Sequence, residues 1–341
     1  MIKTLFNVLF VCGLFACTRE ERAQPELPPI DAVKANLEFT CTHQVNSFPV
    51  LNSDADQLFS YARYLEKRGH HEDGDDIARY YRIAVAHGHY KANGNLQRLI
   101  SEGSARSPYA QNEVTALASQ LIGQGIPGGY YDIGHYLEHG YGFKRDREMA
   151  LRYFRKAADL GSPEAQFYIA EILAPADIAP DVAKQMRQCA MDQGHLAAAN
   201  TLGINLTNDS HYTLAVEAFQ TGVKNGDPQS AFFLQNGFNG PLSSERLFYL
   251  ALAKDSERSW RYKLIGEFLD RNDGRNPKVP DIDQIVPLPP AKLPPWDGTF
   301  QWQKEQDAAV PPEKPSDELI NRLSKEKNLD PATGLLRKLP H

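Results

Sequence analysis

Two runs near the middle of the chain decide the fold. They are Tyr131-Asp132-Ile133-Gly134-His135-Tyr136-Leu137-Glu138-His139-Gly140-Tyr141-Gly142 and Ala150-Leu151-Arg152-Tyr153-Phe154-Arg155-Lys156-Ala157-Ala158-Asp159-Leu160-Gly161. In each, apolar residues recur three and four apart, as they do along one face of a helix. The second run closes on a glycine, the residue that most readily adopts the left-handed conformation past a helix end. A hairpin of two short helices cannot bury its faces alone, so the unit needs neighbours of its own kind. Gly88, Gly125, Gly161, Gly194 and Gly226 follow one another at separations of 37, 36, 33 and 32 residues, a period that belongs to arrays of helical hairpins.

Aligned on these glycines, the fourth following residue is always small: Ala92, Gly129, Ala165, Ala198 and Ser230. The eighth is apolar (Leu96, Ile133, Ile169, Leu202, Leu234), and so is the twelfth (Ile100, Leu137, Leu173, Leu206, Phe238). Spacings of four trace one stripe of a first helix, with a small residue where a neighbouring helix comes close. Three and four residues before the same glycines stand pairs such as Leu121-Ile122 and Ala157-Ala158, the stripe of a second helix.

The unit over 131–161 resembles the Sel-one-like repeat, a relative of the tetratricopeptide repeat. The next unit, opening Ser162-Pro163-Glu164-Ala165-Gln166-Phe167-Tyr168-Ile169-Ala170, is similar, although its inter-helix loop lacks the usual double glycine and carries Pro175 and Pro180. Units over about 55–88, 89–125, 195–226 and 227–255 share the core positions but not the loops. The resemblance covers about 200 residues and implies an all-α, right-handed α-solenoid over 54–270, whose first helices line a groove that binds protein. First-helix residues one turn off the core stripe are then the candidate partner-binding set: Asn95, Arg98, Tyr131, Asp132, His135, Glu138, Phe167, Glu171, Asn200, Phe232 and Asn236. Tyrosine and phenylalanine beside carboxylates make a suitable protein-binding lining.

The ends of the chain differ from its middle. Residues 1–16 begin with Lys3 and continue through an apolar run too short to span a bilayer, a secretory leader rather than part of the fold. Leu14-Phe15-Ala16-Cys17 resembles the lipobox of bacterial lipoproteins, which implies acylation of Cys17 and a membrane anchor. Thr18 rather than aspartate follows, so periplasm-facing outer-membrane placement is expected, with 17–53 as tether and N-terminal cap. Cys41 and Cys189 then reside in an oxidising compartment. They either pair or leave Cys189 as a buried helical thiol, and spacing does not decide between the two.

At the other end, Trp260 to Leu269 reads as a last amphipathic helix, and 277–315 holds ten of the chain's 23 prolines. No regular helix is expected there, and 271–341 reads as an extended, proline-rich segment with a short terminal helix. Ile282, Ile285, Trp296, Phe300 and Trp302 give it too many apolar anchors for a linker. It should pack along the solenoid, as a cap over the last hairpin or as part of the binding surface. Ser316 or Asp317 caps a final helix carrying Leu319, Ile320 and Leu323, which should dock too.

Chemistry is sparse. A net charge of −6 with no Lys/Arg run longer than two argues against nucleic acid. No nucleophile elbow, phosphate loop or dinucleotide fingerprint occurs, so neither a cofactor nor a small-molecule substrate is expected. His70-His71-Glu72-Asp73 and His87-x-His89 read as solvated turn histidines. His135 and His139 lie four apart on one face with Glu138 between, but the glutamate does not directly follow the first histidine, and groove lining is the favoured role over zinc. The remaining carboxylates are spread over solvent faces.

The lipobox, the repeat array and the stretch from Lys278 to Gly298, including Val286-Pro287-Leu288-Pro289-Pro290-Ala291-Lys292-Leu293-Pro294-Pro295-Trp296, together resemble periplasmic immunity lipoproteins that accompany type VI secretion effectors of the phospholipase D kind. That resemblance implies a non-catalytic inhibitor that occludes a secreted phospholipase, with the membrane engaged only through the lipid. The alternative is an envelope scaffold or regulator whose groove binds a resident periplasmic partner.

Overall fold

The computed structural model describes residues 38–68, 74–175 and 177–337, with positions 27, 29 and 31. The leader, Cys17 and the group from His70 to Asp73 lie outside the described residues. Among the described residues no helix is long and apolar enough to cross a membrane.

The expected all-α solenoid is what the chain forms. Twelve helices pair into six hairpins: α1 (Ser53–Lys67) with α2 (Gly74–Ala86), α3 (Tyr90–Ser101) with α4 (Ala110–Gly123), α5 (Pro127–His139) with α6 (Arg147–Asp159), α7 (Pro163–Leu173) with α8 (Pro180–Asp192), α9 (Leu196–Asn208) with α10 (Tyr212–Asn225), and α11 (Pro228–Phe238) with α12 (Ser256–Arg271). The last hairpin runs past 255, because a loop over 239–255 separates its two helices.

One joint links successive hairpins. Each repeat glycine has positive φ, between 75° and 102°, and the N–H one residue later donates back to the carbonyl five positions before it, as Ser162 does to Ala157 at 2.9 Å and Asp227 to Gly222 at 2.9 Å. At four of the five joints that same following residue then caps the next helix: Ser162 accepts from Ala165, Asp227 from Ser230, and His89 and His195 from Ala92 and Ala198, whereas Ile126 offers no side-chain cap and Pro127 opens α5. A side-chain cap is worth about 1 kcal/mol. His89 is therefore not the solvated turn histidine its position indicates. It is buried, and its second nitrogen lies 3.1 Å from Asp56.

The small fourth positions are buried as the pattern requires. A Cβ on Gly129 would stand 2.7 Å from the Ala118 carbonyl, so the backbones of α5 and α4 touch there. Two more glycines, Gly134 and Gly203, sit at equivalent places in α5 and α9, and each leaves room for a ring from its hairpin partner, Phe154 and Phe219.

Both terminal segments return to the array. Residues 38–48 lie against its middle: Gln166 donates to the Thr42 carbonyl at 2.9 Å, Arg155 to that of Glu38 at 2.5 Å, and Cys41 forms a disulfide with Cys189 of α8. Pairing, not a free thiol, is thus the state of these cysteines.

The proline-rich segment is not free of helix. α13 (Ile282–Ile285) and α14 (Gln301–Ala308) form where no proline interrupts the chain. Val279, Ile282, Ile285, Val286, Phe300 and Trp302 are buried in one cluster with α10, α11 and α12. Arg258 and Arg261 hold the intervening carbonyls, those of Pro287 and Ala291 and those of Ile285 and Pro294. The segment then crosses to the opposite end. Ile320 and Leu323 of α15 (Asp317–Glu326), with Leu329, are buried among residues of α1 and α2. Arg322 pairs with Asp54 at 2.8 Å, and Arg82 donates to the Thr333 carbonyl. His87 also is not solvated, since its ring lies 3.0 Å from the Leu323 carbonyl. One continuous tail covers both ends of the array.

Candidate protein-binding surface

The eleven candidate residues fall on the first helices of hairpins two to six, and the structure gathers them into separate clusters. On α3, Asn95 donates to the Tyr81 hydroxyl at 3.2 Å, and that hydroxyl donates to Glu66 at 2.6 Å. Arg98 pairs with the same Glu66 and with Glu102.

The densest group is on α5. Tyr131 packs edge-on to His135 with centroids 4.5 Å apart, and Phe154 and Tyr168 close around both rings. Glu138 accepts from the Tyr168 hydroxyl at 2.7 Å and lies 3.5 Å from His135 Nδ1. Burial pushes the Tyr131 phenol up to about 12 and holds His135 below the ordinary histidine range, so this group is a neutral aromatic box with one carboxylate. Asp132 departs from the solvent-face assignment given to the acids. It turns toward the preceding hairpin, accepts from Gln97 at 3.1 Å, and burial pushes its carboxyl up to about 7. Ligand atoms of His135, Glu138 and His139 lie within 4.8 Å of one another, and each has a protein partner already, with His139 Nδ1 2.9 Å from the His135 carbonyl.

Farther along, Phe167 packs against His195 of the next hairpin, the rings tilted with centroids 4.7 Å apart. Glu171 is taken by Arg187 at 2.8 Å, and Arg187 also donates to Asn205. Asn200 keeps a buried amide nitrogen without a partner. Phe232 is 47 % exposed, edge-on to Phe248, and Asn236 donates to the Phe232 carbonyl. The loop over 239–255 adds Leu242 and Leu247, 70 % and 63 % exposed. This loop was not among the sequence candidates, because it lies outside the helical register that selected them. Tyr168 escaped for a smaller reason, being one position past the register that picked Phe167. The surface thus grades from a charged, internally paired end at α3 to an exposed apolar end at α11, where large side chains stand free for a partner.

Comparison with known proteins fits this architecture. A family model described as a domain of unknown function (DUF6396) matches residues 230–337, which span most of α11, then α12 and the tail to its last described residue. No curated protein is similar to the chain. Among solved structures, immunity protein Pa5087 from Pseudomonas aeruginosa is 26% identical, with a TM-score of 0.59 over 74% of this chain and 95% of that one. Pseudomonas aeruginosa 5086 is 25% identical, with the same score and coverage. Immunity protein PA5088 from the same organism, 24% identical over 74% of this chain and 94% of that one, shares the fold with a TM-score of 0.61. The chain has the helical-repeat fold of these Pseudomonas proteins, from nearly one end of them to the other.

Proposed function

We propose that this protein is an immunity protein that binds a secreted effector and neutralises it without chemistry of its own. The observation that carries the reading is the likeness to immunity protein Pa5087, which extends over nearly all of that chain. A row of first helices ending in exposed Phe232, Leu242 and Leu247 supports it, since exposed aromatic and aliphatic anchors are what a protein partner desolvates. The target is a type VI secretion effector of the phospholipase D kind, occluded at its active-site entrance. The inhibitor is held by acylated Cys17 on the periplasmic side of the outer membrane, beside the lipid under attack.

Periplasmic expression of such an effector from a neighbouring gene should kill a host cell, and co-expression of this chain should restore growth. Phe232→Ala with Leu247→Ala should abolish rescue and weaken pull-down of the effector at least tenfold, with an unchanged melting temperature because both side chains are exposed. Growth that is never restored against any neighbouring effector would sink the proposal. Rescue that survives the double change would keep immunity and move the contact elsewhere.

A further inference from the structure

Where the tail passes α1, it leaves a cleft of about 600 Å3 between the two ends of the array, a volume within the range of small-ligand sites. Arg63, Lys67 and Arg68 line one wall, Arg275 comes from beyond α12, and Tyr64 and Val310 supply apolar flanks. Four cations line it, no carboxylate is among its described lining residues, and the chain as a whole carries −6. Glu66 bonds Arg63 at 2.7 Å, but it also serves Arg98 and the Tyr81 hydroxyl. Arg68 lies over the Tyr64 ring and Arg275 over the Trp302 ring, at 5.8 and 5.4 Å, so two guanidinium groups are positioned by aromatic faces rather than neutralised. Like charges held together in this way repel one another unless an anion joins them.

We infer that this cleft binds a phosphate-class oxyanion, which bridges Lys67 and Arg68 at one end of the array and Arg275 at the other. Guanidinium forks and an ammonium suit tetrahedral oxyanions. The same chemistry is offered by free phosphate and by the headgroup of an anionic phospholipid. The site uses none of the residues proposed above to bind the effector, and the inference does not rest on that reading.

The full-length protein is titrated with inorganic phosphate, at ionic strength matched with sodium chloride, while thermal unfolding is followed. A saturable rise of about 3–6 °C is expected, because the ligand ties together parts that separate on unfolding. Arg68→Gln with Arg275→Gln should weaken phosphate binding at least tenfold while preserving helicity, with a melting temperature in chloride alone no lower than that of the wild type. Lys263→Gln, which removes an exposed cation elsewhere, should leave phosphate binding intact. Vesicles of phosphatidylcholine, with and without phosphatidylglycerol, separate the sources. Anionic vesicles that retain the wild type more strongly than the double variant identify the headgroup, and a phosphate response without that difference identifies the soluble ion. No rise above the chloride control, or an equal rise in the double variant, overturns the site.

Discussion

At the scale of single residues, glycine inside a helix has two opposite meanings here, and contact distance separates them. A Cβ on Gly134 would stand 2.6 Å from the Phe154 ring, whereas one on Gly94 would meet nothing within 4 Å. Gly134→Ala should therefore destabilise by about 1–2 kcal/mol, since overpacking outweighs the gain in helix propensity. Gly94→Ala should stabilise by about 0.5–1 kcal/mol, and denaturant midpoints test both. Asp132 offers a pH test. Its carboxyl is raised to about 7 in the folded chain by burial, against about 3.9 unfolded. Its stabilising contribution is thus fully present below pH 4 and lost as pH rises through 7. Asp132→Asn keeps an acceptor for Gln97 and should flatten the stability profile between pH 4 and 8. At pH 8 the variant should be more stable by about 2–4 kcal/mol, and an unchanged profile would show that Asp132 does not titrate in this window.

At the scale of elements, the hairpins were legible because the cause of each boundary is local. A glycine at positive φ marks every joint, and at four of the five the next residue caps the following helix. His89 departs from the solvated-turn reading because it does by ring nitrogen what Ser162 and Asp227 do by oxygen, as His195 does too. Of the candidate surface, the exposure of Phe232 was legible from its register. The partners that occupy Asp132 and Glu171 were not, because Gln97 and Arg187 reach them from other helices. The Cys41–Cys189 link was likewise undecided, since a separation of 148 residues says nothing of distance. Closing so long a loop should contribute about 2–5 kcal/mol. Cys41→Ser with Cys189→Ser should lose that much and loosen residues 38–48 from α6 and α8, as read by hydrogen exchange, and wild-type protection of that segment would refute the assignment of the disulfide as its fastening.

At the scale of the whole molecule, the tail is the element whose destination no local pattern announces. The stripe of Leu319, Ile320 and Leu323 says that something covers α15, and only the fold shows that it is the first hairpin. A chain ending at Ala308 should keep the packing of α13 and α14 on α12 yet expose α1 and α2. Hydrogen exchange should accelerate in α1 and α2 by at least tenfold, more than in α5 to α7. Unchanged protection at the first hairpin would show that the tail is not its cover. Open repeat arrays lengthen or shorten by duplication and loss of single units, since each unit touches only its neighbours. Here one segment of fixed length must reach from the sixth hairpin to the first, so the gain or loss of a unit moves the far anchorage out of reach. The number of hairpins and the length of the tail are therefore coupled, so that adding or removing a unit would require a matching change in the tail.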